Sequence, residues 1–133
     1  MTELNVGLIG YGEVGRIFTA GLKPRAAWTG AWDLKFADPA LRDEPLAHAA
    51  AAGVVACDSA AALCEQATLI VSAVTASNTL AVAEAVAPHI RPGSVFLDLN
   101  SASPGTKQKA AALIDAAGAH YVEAGVMTSV PPY

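Results

Sequence analysis

The sequence predicts an α/β domain in which six strands form one parallel sheet, wound on both faces by helices. Three observations carry that expectation. Short apolar runs recur along the chain and alternate with alanine-rich stretches of helical length. The boundaries between them fall on Gly, Pro, Asp and Ser, residues that stop helices or start them. The first apolar run opens straight into Gly10-Tyr11-Gly12-Glu13-Val14-Gly15, a glycine-punctuated turn between a strand and a helix. Strands separated by helical crossovers pair in parallel, and right-handed crossovers put the helices on both faces. The 133 residues suffice for one ordinary domain and are too few for two.

Taken in order, the first strand is expected from about Leu4 to Ile9, its weak alternation marking a central strand covered on both faces. The helix from Glu13 is expected to end near Lys23, because Pro24 disfavours helical geometry in the residue before it. Arg25 to Ala31, with Trp28, reads as a loop, Trp32 to Ala37 as the second strand and Asp38-Pro39 as its stop. Glu44 to Ala52 is an alanine-rich helix with Gly53 as C-cap, followed by a short third strand at Val54-Val55-Ala56. Ser59 caps a small helix carrying Leu63, its hydroxyl accepting a first-turn N–H. Thr68 to Val74 is the β-branched fourth strand. Ser77 is expected to cap the next helix, with Leu80, Val82 and Val86 as its apolar positions, and Pro88 and Pro92-Gly93 end that unit. Ser94 to Leu99 is the fifth strand. Ser103-Pro104 supplies a cap and an N1 proline for a helix to about Ala117, stopped by Gly118. Ala119 to Glu123 is the sixth strand. Residues 1–124 thus form the domain, and residues 125–133 read as an exposed linker.

Hydrophobic residues make up 53% of the chain and charged residues 15%, which describes a large core and not a disordered chain. A net charge of −4 with no basic run argues against binding to a nucleic-acid backbone. The apolar runs are far shorter than a membrane span, and the first strand begins too close to Met1 for a signal peptide, so a cytoplasmic protein is expected. Cys57 and Cys64 lack zinc spacing and read as buried small hydrophobes. His48, His89 and His120 are isolated and read as surface or structural residues, so no metal site is expected.

The glycine turn carries the chemistry. Between a strand and a helix, G-x-G-x-x-G marks a dinucleotide site. Gly10 takes the tight turn, Gly12 lets a pyrophosphate approach the backbone, and Gly15 lets the helix pack closely on the sheet. The helix points unpaired N–H groups and its positive dipole end at the anion. Cofactor contacts are therefore expected along Gly10, Tyr11, Gly12, Glu13, Val14 and Gly15, at the carboxyl ends of strands one and four of a Rossmann-type sheet. Asp38, followed by Pro39, lies 23 positions past Gly15, close to the roughly 20 expected of a ribose-binding carboxylate. A carboxylate there accepts both ribose hydroxyls and repels a 2′-phosphate, so NAD is expected over NADP. The plainer alternative is an Asp-Pro turn that only stops the strand. Arg42 reaches a 2′-phosphate if its loop folds back, which leaves NADP open.

Gly7-Leu8-Ile9-Gly10-Tyr11-Gly12-Glu13-Val14-Gly15, paired with Asp98-Leu99-Asn100-Ser101-Ala102-Ser103-Pro104, resembles the β-hydroxyacid dehydrogenases. That group includes 3-hydroxyisobutyrate dehydrogenase, and the cofactor domain of 6-phosphogluconate dehydrogenase is similar. The resemblance spans the whole chain but only the N-terminal half of the usual family member. It implies that Val74-Thr75 lines the nicotinamide ribose. It also implies that Asp98 to Pro104 matches the family's D-x-S-T-x-x-P loop, with Asn100 and Ser101 facing the nicotinamide and the substrate carboxylate. Ser103 reads as a helix cap. The family's D-A-P-V-S-G-G aligns with Glu123 to Ser129, where Met127 removes a hydroxyl and Thr128 and Ser129 offer hydrogen bonds one or two positions on. Met127, Thr128 and Ser129 are thus substrate-side candidates for a larger or partly apolar substrate. The family's catalytic lysine sits on a helix beyond the interdomain linker, and no stretch here corresponds to it. Lys107 and Lys109 read as solvated surface.

The resemblance implies an NAD(P)-binding domain of an oxidoreductase that moves a hydride between the nicotinamide and a small hydroxy or keto acid. Cofactor binding with little or no turnover by this chain is expected, as is self-association through an apolar face near the tail. Two alternatives stay open: a stand-alone NAD-sensing regulatory module, and the cofactor domain of an imine reductase or a decarboxylating sugar-acid dehydrogenase.

Overall fold

A computed structural model describes residues 4–124 of the chain. β1 (Asn5–Ile9) is the strand on which the rest is built, and Val6, Leu8 and Ile9 are each at most 4% exposed. A strand apolar on both sides has to be central and covered on both faces. The chain continues as α1 (Glu13–Leu22), β2 (Trp28–Trp32), α2 (Asp43–Ala52), β3 (Val55–Ala56), α3 (Ala60–Gln66) and β4 (Leu69–Ser72). It then runs through α4 (Thr79–Val86), β5 (Val95–Asp98), α5 (Pro104–Ala116) and β6 (His120–Glu123). The sheet order is β3-β2-β1-β4-β5-β6, with every neighbouring pair parallel. The order reverses between β1 and β4, and ligands bind in the crevice at such a reversal.

Alternation along the strands divides the interior into two cores. Val6, Leu8, Val71 and Leu99 pack with Val14 and Phe18 of α1 and Ala49 of α2. On the other face, Ile9, Ile70 and Phe96 pack with Leu63 and Cys64 of α3, Val86 of α4 and Ile114 of α5. Gly7 points to that second face, where a Cβ would collide with the Leu63 side chain, so the smallest residue lets α3 lie close against the central strand. Cys57 and Cys64 are both buried and free, and burial pushes the Cys64 thiol up to about 12, so it behaves as an apolar residue. None of the described helices is long and apolar enough to cross a membrane.

Three local expectations need correction. The second strand is Trp28–Trp32 and not Trp32–Ala37. Its five residues pair in register with the five of β1, and the Gly10 N–H donates to the Trp32 carbonyl at 2.8 Å. Beyond Trp32 the chain turns, because the Asp33 carboxylate accepts the Lys35 N–H at 2.9 Å and starts the short 3-10 turn Leu34–Ala37. Ser77 is not the cap of α4: a 3-10 turn, Ala76–Asn78, intervenes, Asn78 precedes the helix, and the Ser77 hydroxyl lies 3.3 Å from the Thr75 hydroxyl. Lys107 is not solvated surface but is 5% exposed, with Nζ 3.3 Å from Glu123 Oε1. By contrast, Ser59 and Ser103 accept N–H groups from Ala62 and Thr106, and Gly53, at φ 73°, ends α2 in the left-handed conformation. The expected linker, residues 125–133, lies outside the described residues.

Candidate functional site

The site starts from a steric requirement. Gly10 leaves β1 at φ 97°, a left-handed value that side chains avoid, and a Cβ there would overlap the Ala73 carbonyl oxygen. The turn therefore lies directly against the end of β4. At Gly15 a Cβ would overlap the Gly10 carbonyl, so a small residue lets α1 close onto the turn. Gly12 is different: a Cβ there would meet no non-neighbouring atom within 4 Å. Its bareness keeps the backbone at the mouth of a cleft accessible. Gly12 is also the N-cap of α1 and supplies no side-chain cap, so the first-turn N–H groups have no side-chain acceptor there.

The cleft has a volume of about 520 Å³ and crosses the sheet at the reversal point. Gly10, Gly12, Glu13 and Val14 line it from the turn, Trp32 and Asp33 from the end of β2, and Ala73, Val74 and Thr75 from the end of β4. Ile9, Leu34, Lys35, Ala60 of α3, Asn78 just before α4, and Ala81, Val82, Ala85 and Val86 along α4 complete it. The walls are mostly apolar, with few polar groups at strand ends, which is the usual composition of a small-molecule site.

Two carboxylates line this cleft, Glu13 at the turn and Asp33 at the end of β2, and backbone donors hold Asp33. One Asp33 oxygen accepts the Tyr11 N–H at 2.7 Å and the other accepts the Lys35 N–H. Two backbone donors orient the group while lone pairs remain on both oxygens. Asp38 lines neither this cleft nor its neighbour, and its carboxylate accepts the Ala40 N–H at 2.9 Å in a local turn. Pro39 and Arg42 are likewise outside both. The sequence held the signal for Asp33, which lies 18 positions past Gly15 and so fits a spacing of about 20 as well as Asp38 does. Placing β2 too late hid it.

Tyr11, read from sequence as a cofactor contact, is 2% exposed and ties the turn to α2. Its hydroxyl lies 2.7 Å from His48 Nδ1, and the Arg16 guanidinium sits 5.2 Å from its ring centroid. Burial is the main reason that the Tyr11 phenol is pushed above its ordinary value. Arg16 pairs with Glu44 at 2.6 Å, and this hydrogen bond raises the guanidinium and lowers the carboxyl. Tyr11, Arg16 and Glu44, with Lys35 and Leu41, line a second cleft of about 560 Å³ beside the first.

In the loop after β5, Ser101 is exposed and lines neither cleft, whereas Asn100 is 3% exposed. The Asn100 side-chain oxygen accepts the Val74 N–H at 2.7 Å, and its amide nitrogen donates to Ser72 Oγ at 3.0 Å. Asp98, wholly buried, accepts the Asn100 N–H at 2.8 Å and the Tyr121 hydroxyl at 2.5 Å. Met127, Thr128 and Ser129 lie outside the described residues. Among the described residues no cluster of His, Cys, Asp and Glu can hold a metal ion.

Residues 5–130 match the family described as the NAD binding domain of 6-phosphogluconate dehydrogenase. The chain belongs to this family. A comparison with curated proteins finds no match. Among solved structures, a conserved hypothetical protein from Sinorhizobium meliloti 1021 is 39% identical, with a TM-score of 0.89 over 99% of this chain and 44% of that one. The Mycobacterium tuberculosis 3-hydroxyisobutyrate dehydrogenase is 22% identical, with a TM-score of 0.81 over 96% of this chain and 42% of that one. An imine reductase from Pseudomonas sp. is 16% identical, with a TM-score of 0.79 over 96% of this chain and 42% of that one. At those last two identities the likeness is one of fold. The chain spans less than half the length of each of the three. An NAD(P)-binding domain of the 6-phosphogluconate dehydrogenase type therefore accounts for both the glycine turn and the cleft.

Proposed function

We propose that this domain binds NAD as the cofactor part of a hydroxyacid-dehydrogenase-like oxidoreductase. The observation that carries the reading is the placement of Asp33 and Gly12 on one cleft at the sheet reversal. The pyrophosphate lies over Gly12 and the first turn of α1. The adenosine ribose lies at Asp33, whose remaining lone pairs accept its hydroxyls. This replaces Asp38 in that role. A bound nicotinamide supplies the hydride chemistry, while this chain supplies position and an apolar, water-poor wall. Val74 and Thr75 line the ribose on the nicotinamide side, and Ser101 lies on the loop that faces the substrate. Proton transfer to the substrate is not assigned to any residue of this chain. Lys107, the lysine nearest that loop in sequence, is buried against Glu123.

NAD over NADP follows from charge. The Asp33 carboxylate repels a 2′-phosphate and Arg16 in the adjoining cleft is already paired with Glu44, which leaves Lys35 as the cation lining both clefts. An enzyme that reduces imines would carry the same domain, and the fold of the Pseudomonas imine reductase fits that second reading.

Fluorescence titration with NADH and NADPH tests the assignment. The expected result is tighter NADH binding by about tenfold, a preference that Asp33→Ala abolishes and Asp38→Ala leaves unchanged, on the scale of one charged contact. Tighter binding of NADPH by the wild type, or loss of the preference in Asp38→Ala alone, would overturn it.

A further inference from the structure

We propose that Asn100 is a positioning residue that ties the substrate-side loop to the nicotinamide end of the cofactor cleft. This inference rests on the cofactor reading above. Asn100 was expected to present its amide to the substrate, yet both ends of that amide are engaged inside the protein. The oxygen holds the Val74 N–H and the nitrogen holds Ser72 Oγ, so one side chain from the end of β5 spans the last residue of β4 and the segment after it.

The connection continues in both directions. Asp98 accepts the backbone N–H of Asn100 itself and, through its other oxygen, the hydroxyl of Tyr121 on β6. On the cofactor side, Ala73 and Val74 are the residues against which the Gly10 turn closes, and both line the cleft. The Asn100 amide therefore sets the orientation of the Val74 peptide, the first cleft-lining group held from the substrate side. A side chain ending in a hydroxyl on Cβ is too short to bridge the same two groups. The D-x-S-T pattern that the loop resembles has such a side chain at this position, so the tie belongs to this sequence's Asn.

The position of Val74 matters for the nicotinamide half of the ligand and not for the adenosine half, which lies at Asp33. That difference separates positioning from general destabilisation. NADH and ADP are titrated separately against the 133-residue chain and its Asn100→Ala and Ser72→Ala variants. Asn100→Ala is expected to weaken NADH about tenfold while ADP affinity stays within about twofold, the scale of one or two lost hydrogen bonds. Ser72→Ala, a near-isosteric change, frees only the amide nitrogen and is expected to show the same selective loss at about threefold. If Asn100→Ala does not fold, the Ser72→Ala comparison decides. Equal weakening of NADH and ADP, or no weakening of either in a folded variant, would overturn the positioning role while leaving the cofactor site intact. Failure of the wild type to bind either ligand would overturn the cofactor reading, and this inference with it.

Discussion

Gly10→Ala is expected to lower the stability of the domain by about 3 kcal/mol, through left-handed strain and overlap in a packed region. A single added methyl group has two faults at this site. It must adopt φ 97°, and its carbon would occupy the space of the Ala73 carbonyl oxygen. Neither fault is relieved by a rotamer change, because the colliding atom is backbone. Relief requires the turn to move away from β4, which opens the cleft between Gly12 and Val74. Thermal unfolding is expected to show a midpoint roughly 10 °C below wild type, and NADH binding is expected to be lost at temperatures where the variant is still folded. Gly12→Ala provides the contrast, since its methyl group projects into open space: near-wild-type stability with weakened binding. A stable Gly10→Ala variant that binds NADH normally would show that the turn is not held against β4.

Asp98→Ala is expected to have a comparable effect for an electrostatic reason. The carboxylate is wholly buried and accepts from the Asn100 N–H and the Tyr121 hydroxyl, so its removal leaves one buried and one part-buried donor without that acceptor. A loss of about 3 kcal/mol is expected, two unsatisfied groups offset in part by the desolvation that the charge no longer costs. The alkaline limb of stability is a second readout. Burial first, then the hydrogen bond and the charge of Asp98, push the Tyr121 phenol well above its ordinary value of 10.0. The unfolded chain releases that proton near pH 10 while the folded chain keeps it. The contribution to stability is therefore fully present below pH 10 and is lost as pH rises through the folded value. In Asp98→Ala burial and the charge of Glu123 remain as causes, so the decline assigned to Tyr121 should be shallower. Chemical denaturation between pH 8 and roughly pH 11 measures both effects. An unchanged midpoint with an unchanged alkaline slope would remove Asp98 from the account.

Much of this architecture was legible because local chemistry and tertiary structure agree. The β1–turn–α1 unit was legible from Gly10, Gly12 and Gly15: Gly10 takes the tight turn against Ala73 and Gly15 lets α1 close onto it. Ser59, Gly53 and Ser103-Pro104 marked helix ends because capping is a local interaction. The errors lie where a distant partner decides. Arg25 to Ala31 reads locally as a loop, but Gly30 is the residue over which the Trp28 ring folds, and pairing of Trp28–Trp32 with β1 outweighs its weak strand preference. With β2 ending at Trp32, Asp33 and not Asp38 lines the cleft. Lys107 was read as exposed because its partner, Glu123, is on another element. Asn100 was placed in the correct loop, but its contacts with Val74 and Ser72 cross from β5 to β4, and no local pattern encodes them.

In the proposed complex a dinucleotide lies across the sheet reversal, with its pyrophosphate at Gly12 and its adenosine ribose at Asp33. A titration of the isotope-labelled chain with NADH, followed by backbone amide NMR, tests this residue by residue. Saturable shifts are expected at residues 10–15, at Asp33 to Lys35 and at Val74-Thr75, with Asp38 to Leu41 unmoved. Shifts centred on Asp38 to Arg42 with Asp33 silent, or no saturable shifts in the Gly10 to Gly15 turn, would contradict it.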